Sequence, residues 1–223
     1  PLLGVGAILA AVPRHLEKTQ IGAAGAEWAL TLAERTALSG RIVWFYLGKL
    51  AWPANLVFIY PRWTLDASSL AGWIGTVAVV VLAALAYASR GRFGRGPLAG
   101  LAFFVVTLFP ALGFFDVYPM RYSWVADHFQ YLASLGPIVL VSAWTTTATN
   151  RLSSTHPSAR RVAPALAGIA LAALAGRTFA RCHAYLDEET LWRDTVAQND
   201  GAWIAHNNLG ILLAKQGKHD EAA

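Results

Sequence analysis

The stretch DVYPMRYSWVADHFQYLASLGP holds two acids, an arginine and a histidine among a dense set of aromatic rings. Asp116, Arg121, Asp127 and His128 stand among Tyr118, Tyr122, Trp124 and Tyr131. Side chains of these types suit phosphate and hydroxyl chemistry. Arg121 and His128 could meet the phosphate of a lipid-linked group, with Tyr131 beside them. Asp127 or Asp116 could take a proton from an acceptor hydroxyl as a general base. The bland alternative is a loop whose acids and arginine pair with each other or stay solvated. No Gly-rich phosphate loop, Ser-His-Asp set or zinc spacing is present. The single cysteine, Cys182, has no partner for a disulfide. No resident cofactor is indicated, and a divalent metal at the carboxylates is left open.

Such a loop needs elements to position it, and the hydropathy pattern supplies them. Of the 223 residues, 56% are hydrophobic and only 14% charged, against about 25% charged in an ordinary soluble domain. The deficit is uneven: long uncharged runs alternate with short charged links, while the last forty or so residues look soluble. A membrane part joined to a soluble part accounts for this. A spanning helix takes about 20 apolar residues. Runs at 69–88, 97–115, 130–148 and 162–180 qualify as expected spans; in the last, Arg161 and Arg177 flank the uncharged run 162–176, which 178–180 extend. Residues 1–12 resemble the tail of an earlier span, within a membrane domain expected over 1–180. The stretch 41–60 carries Lys49, Pro53 and many aromatics, and suits an interfacial or kinked helix as well as a spanning one. Around these runs, His15, Glu17 and Lys18 suit a solvated turn. Lys49 suits snorkelling or a phosphate contact, and Arg62 and Asp66 suit an interfacial pair.

Orientation follows from the links. Residues 89–96 and 149–161 each contain three arginines and no acid, so both are expected on the cytoplasmic side. Two expected spans separate them, which places 116–129 and everything after about 178 outside. The formal charge of +5 is thereby explained by orientation in a bilayer, without nucleic acid as a partner. A bacterial inner membrane is the expected location.

The C-terminal residues 203–222, WIAHNNLGILLAKQGKHDEA, follow the tetratricopeptide-repeat (TPR) pattern. Counted from Trp203, Leu209 and Gly210 fall at positions seven and eight, Leu213 at eleven and Ala222 at twenty. Gly217 stands where the turn between the two helices belongs. The preceding LWRDTVAQND suits the second helix of a degenerate repeat, with Trp192 and Thr195 at its aromatic and small positions. His206 suits repeat packing or a ligand groove. A TPR domain beginning near residue 181 implies a protein or peptide partner. The expected fold is all-α: a polytopic helix bundle followed by the start of a helical repeat array.

Three segments, in order, resemble bacterial relatives of the transmembrane and tetratricopeptide-repeat-containing proteins, polytopic glycosyltransferases of the GT-C type. RIVWFYLGKLAWPANLVFIYP is similar to that family's Tyr-Leu-x-x-Leu-x-x-Pro-x-x-Leu segment. FPALGFFDVYPMRYSWVADHFQYLASLG is similar to its Ala-Asp-Arg-Tyr-x-Tyr-Leu loop, with Asp127-His128-Phe129 where the family has Asp-Arg-Tyr. The third is the TPR start. The resemblance implies a GT-C-like C-terminal half and a polyprenyl-phosphate sugar, with mannose the sugar in eukaryotic relatives. It also implies a protein Ser or Thr acceptor and a site on the extracytoplasmic side. In such enzymes the catalytic acid usually lies in the first outer loop. A membrane-anchored TPR scaffold without enzymatic activity is the competing expectation, and a protein that ligates or flips lipid-linked glycans is a third.

Overall fold

The computed structural model describes residues 29–156 and 158–222; the apolar run 2–12 and His15, Glu17 and Lys18 lie outside that range. Helix α1 (Leu32–Ala51) begins at a complete capping box. The Thr31 hydroxyl accepts from the Glu34 N–H, and the Glu34 carboxylate accepts from the Thr31 N–H at 2.8 Å. This start lies nine residues before the expected element. The helix also ends earlier, at Ala51, because Pro53 cannot continue it. Residues 52–69 then run as irregular chain, so the expected 41–60 helix is in fact a helix followed by an extended strap.

Helix α2 (Leu70–Ala88) has a Ser69 cap and no buried residue. A short turn α3 (Arg90–Phe93) follows, and then α4 (Gly96–Leu108). Phe109–Ala111 tightens into a 3-10 turn at Pro110, so this helix stops short of the expected end at 115. At 13 residues, α4 rises only about 20 Å.

The loop 112–134 contains two 3-10 turns, Tyr118–Arg121 and Asp127–Gln130. It delays α5 (Leu135–Thr155) by five residues relative to expectation. The hydroxyls of Thr145, Thr146 and Thr147 bond back to the carbonyls of Val141, Ser142 and Ala143. This back-bonding satisfies the threonine hydroxyls within the helix itself. Helix α6 (Ala159–Cys182) tolerates Pro164 near its start, also without a buried residue. Among the described residues, Leu70–Ala88 and Ala159–Tyr185 are the two helices long and apolar enough to cross a membrane.

Small residues set the helix contacts. A Cβ on Gly40 of α1 would overlap the backbone of Thr76 in α2, and one on Gly75 would meet Gly40. The Thr76 hydroxyl donates to Thr36 O at 2.7 Å across this contact. A Cβ on Gly136 of α5 would likewise overlap Gly100 O of α4. Where lipid competes equally for apolar side chains, close backbone approach is what holds helices together.

The main core gathers Leu38, Ile42 and Tyr46 of α1, Phe104 and Leu108 of α4, and Met120, Trp124 and Val125 of the loop. The all-helical fold ends in α7 (Glu188–Gln198), α8 (Trp203–Lys215) and α9 (His219–Ala222). Gly217 has φ +78° at the α8–α9 turn. A Cβ on Gly210 would come 3.1 Å from Ala222 O, so the eighth and twentieth positions of the TPR pattern face each other.

Candidate functional site

Two segments singled out in the sequence, 41–60 and 116–129, meet in space through two tyrosines. The Tyr46 hydroxyl donates to Ala126 O at 3.0 Å and accepts from Ala126 N–H at 3.1 Å. The Tyr60 hydroxyl donates to Asp127 Oδ1 at 2.7 Å. The first contact pins the loop backbone to α1, and the second turns the Asp127 carboxylate toward the 52–66 strap. Trp124 Nε1–H adds a third tie, to Trp63 O at 3.0 Å, and Arg62 lies 4.1 Å over the Trp124 ring.

Asp127 is partly buried, and burial pushes its pKa up. The Tyr60 hydrogen bond, then Lys49, Arg181 and His128, oppose that rise without cancelling it. Burial and the neighbouring carboxylate push the Tyr60 phenol upward as well, so Tyr60 is a proton donor to Asp127 across the accessible pH range. Lys49, in the last turn of α1, donates to the carbonyls of Ala54 and Asn55. Its Nζ lies 5.0 Å from the Tyr60 ring. Asn55 takes φ +49° to aim its carbonyl there, a conformation asparagine tolerates well. A partly buried carboxylate with a raised pKa, one fixed donor and cations within electrostatic reach can accept a proton from a hydroxyl or sit beside a phosphate.

The other expected residues do not converge on Asp127. Asp116 pairs with Arg35 Nη2 at 2.6 Å, with side chains only 16% and 15% exposed, and Arg35 also donates to Gly113 O at 2.8 Å. That anchors the end of α4 to the start of α1. Arg121 borders a smaller cleft of about 260 Å³ with Tyr122 and Trp203, its Cζ 5.9 Å from the Trp203 ring. His128 faces outward against Phe129, ring centroids 4.6 Å apart. Tyr131 is 71% exposed. Among the described residues, no three His, Cys, Asp or Glu side chains are grouped to hold a metal ion.

Arg181, Tyr60 and Arg35 were not anticipated. Arg181 stands four residues after Arg177 at the end of an apolar helix, a spacing that puts both on one face. That periodicity was the available signal. Arg35 and Tyr60 carried none, because their partners lie 81 and 67 residues away in sequence.

The C-terminal helices dock directly on this region. Asn199 Nδ2–H donates to Ile59 O at 3.0 Å, and Phe58 meets Trp192 edge-on at 5.5 Å. Ile59, Ala202 and Ala205 form a second small core. Across α7–α9, Glu189 bonds Arg193, Gln216 and Lys218, which pull its pKa down to about 2. Arg193 bonds Glu221 at 2.7 Å.

An all-helical protein with two helices of membrane length and a partly buried carboxylate in an aromatic loop is the class this fold and site define. Over 98 residues, or 44% of its length, the chain is 34% identical to Protein O-mannosyl-transferase Tmtc2 of Drosophila melanogaster. The match spans 10% of that relative's length. No family model and no solved structure matches the chain. The similarity is a distant and partial one.

Proposed function

We propose that this chain is part of an integral-membrane glycosyltransferase that moves a hexose, mannose in the first instance, from a polyprenyl phosphate to Ser or Thr of an exported protein. The observation that carries this is Asp127: a part-buried carboxylate with a raised pKa, hydrogen-bonded to Tyr60 and faced by cations, where two ordered segments meet. In the reaction, the acceptor hydroxyl oxygen bonds to the anomeric carbon while that carbon's bond to the phosphate oxygen breaks. The hydroxyl proton passes to the Asp127 carboxylate, and the polyprenyl phosphate leaves with the bonding electron pair. The raised pKa makes Asp127 the stronger base for this step.

In this reading α7–α9 begin a TPR array that presents the acceptor. Their docking on Ile59 and Tyr122 supports it, since a bound peptide would be held close to the loop. The arginine-bearing links 89–96 and 149–161 would face the cytoplasm, with the loop and array on the other side.

The test is transfer by the full-length protein in membranes, using a radiolabelled polyprenyl-phosphate mannose and an exported acceptor. Asp127→Asn should lower transfer at least 100-fold at unchanged membrane expression. Transfer unaffected by the substitution removes Asp127 from the site. No transfer by the wild type from any of several donors leaves a membrane-anchored TPR scaffold as the function.

A further inference from the structure

A cleft of about 610 Å³ opens where α1, the end of the strap and the first turns of α2 meet. Arg41 and Trp44 of α1, Thr64 and Asp66 of the strap, Ser69 and one face of α2 line it. Its two charged side chains are exposed and do not neutralise each other. Arg41 lies 4.3 Å over the Trp63 ring and pairs with no carboxylate among the described residues. Stacking on a ring occupies the face of the guanidinium and leaves its N–H edges, the part that binds oxyanions. Asp66 Oδ1 accepts from the Ser68 N–H at 2.9 Å and from the Ser68 hydroxyl. Those bonds hold its carboxyl below the usual carboxylate range, so it is ionised at neutral pH, and Oδ2 takes part in neither. A cation and an anion that share one cleft without pairing match a ligand that carries both charges.

The surroundings indicate which kind of ligand. The cleft opens at the start of α2, a helix long and apolar enough to cross a membrane and without a buried residue. Three tryptophans cluster at this end of it. Trp44, 40% exposed, donates from Nε1 to Gly75 O at 3.0 Å, Trp73 donates to Ala67 O at 2.9 Å, and Trp63 carries Arg41. Tryptophan prefers the headgroup level of a bilayer. From Ile74 and Ala78 in the cleft, the same face of α2 continues through the exposed Val81 and Leu85, at the three- and four-residue spacing that keeps side chains in line. Between Ile74 and Leu85 the helix rises about 16 Å, close to the ~15 Å depth of one leaflet. A water-soluble zwitterion gains nothing from such a stripe, whereas an acyl chain lies along it. The carboxylate then selects the headgroup. Choline has no N–H to donate and a glycerol headgroup has no positive charge, but ethanolamine has both.

We propose that this cleft holds a phosphatidylethanolamine molecule, with its phosphate against the N–H edge of Arg41, its primary ammonium against Asp66 and an acyl chain along α2. So seated, the headgroup bridges α1 to the strap. The site rests on α2 crossing the membrane and is independent of the transferase reading.

The experiment is native mass spectrometry of the full-length protein in detergent, titrated with phosphatidylethanolamine, phosphatidylcholine and phosphatidylglycerol of matched acyl chains. Wild type should retain one phosphatidylethanolamine about tenfold more tightly than either other lipid, as a hydrogen-bonded charge pair contributes. Asp66→Asn keeps an oxygen for Ser68 and removes the charge; it should weaken phosphatidylethanolamine about fivefold or more and erase its advantage over phosphatidylglycerol. Arg41→Gln should weaken all three, since all carry the phosphate. Arg92→Gln, in the link at the other end of α2, should bind as wild type does. Helix content by circular dichroism should be unchanged in each variant; if one unfolds, the wild-type preference among the three lipids still decides. Equal retention of the three by wild type would reduce the cleft to an annular-lipid surface and overturn the site. A phosphatidylethanolamine preference that survives Asp66→Asn would overturn it too, and a wild-type preference for phosphatidylglycerol would overturn the ethanolamine contact.

Discussion

Asp127 and Asp116 belong to one loop and would look alike in any composition count, yet their environments assign them different work. Asp116 is tied up by Arg35 and holds α4 to α1. Asp127 has one hydroxyl donor and more distant cations, so its proton is the more available for exchange. Its pKa lies above the ordinary carboxylate value, because burial disfavours the charged form more than Tyr60, Lys49, Arg181 and His128 favour it. A base must be ionised to act, so the acidic limb of the transfer rate against pH should lie above about 4, the usual aspartate value. Tyr60→Phe removes the strongest interaction that favours the charged carboxylate. It should therefore move that limb to still higher pH. A pH–rate profile of both proteins checks this; an acidic limb unmoved by Tyr60→Phe would sink the assignment.

The elements are held by contacts that leave no room. Gly40→Ala should force α1 and α2 apart at Thr76, because the new methyl would meet backbone that cannot swing away. A cost of about 1–3 kcal/mol is expected for such overpacking. Gly168→Ala in α6 is the matched control: nothing lies within 4 Å of the added carbon, and alanine is the better helix former. Thermal unfolding of the two variants in detergent should show a lowered midpoint for the first and an unchanged or raised one for the second. The C-terminal helices respond instead to charge. Glu189 is held well below its ordinary value of 4.5, at about 2. A depressed pKa means that its contribution is present above the unfolded value and disappears as pH falls through the folded one. Amides of α7 and α8 should therefore lose hydrogen-exchange protection between about pH 4.5 and 2, and Glu189→Gln should remove that step.

On the scale of the whole molecule, the loop 112–134 and the segment 183–206 are each joined to the strap 52–66 by a side-chain-to-backbone bond. Asn199 is the clearest such joint, since its amide reaches a carbonyl 140 residues away. Asn199→Ala strands the Ile59 carbonyl at a buried position and should cost about 1–3 kcal/mol. Faster exchange across α7 and α8, with α2 and α6 unchanged, would report the loosened docking; uniform protection would contradict it. Helices α2 and α6 each carry the chain roughly 30 Å away from this joined region, toward the arginine-bearing links. In a Cys182→Ser background, a cysteine replacing Asp200 should react with an impermeant reagent added outside, and one replacing Arg92 only after the membrane is opened. The reverse pattern would invert the proposed sidedness.

Helix type and the two membrane-length helices are legible without coordinates, because both depend on local pattern: an uncharged run of 20 residues at 69–88 and one of 15 at 162–176. The ends of elements were less so. The Thr31 to Glu34 capping box is a written signal for the start of α1, and Pro110 for the close of α4, whereas the delay of α5 to Leu135 depends on how the 127–134 turns pack. Which charged groups meet was decided in three dimensions alone. Asp116 with Arg35, Asp127 with Tyr60 and Arg181 with Asp194 are pairings across 81, 67 and 13 residues. Sequence spacing has no bearing on such partners, because they depend on where a helix ends and which face it turns inward.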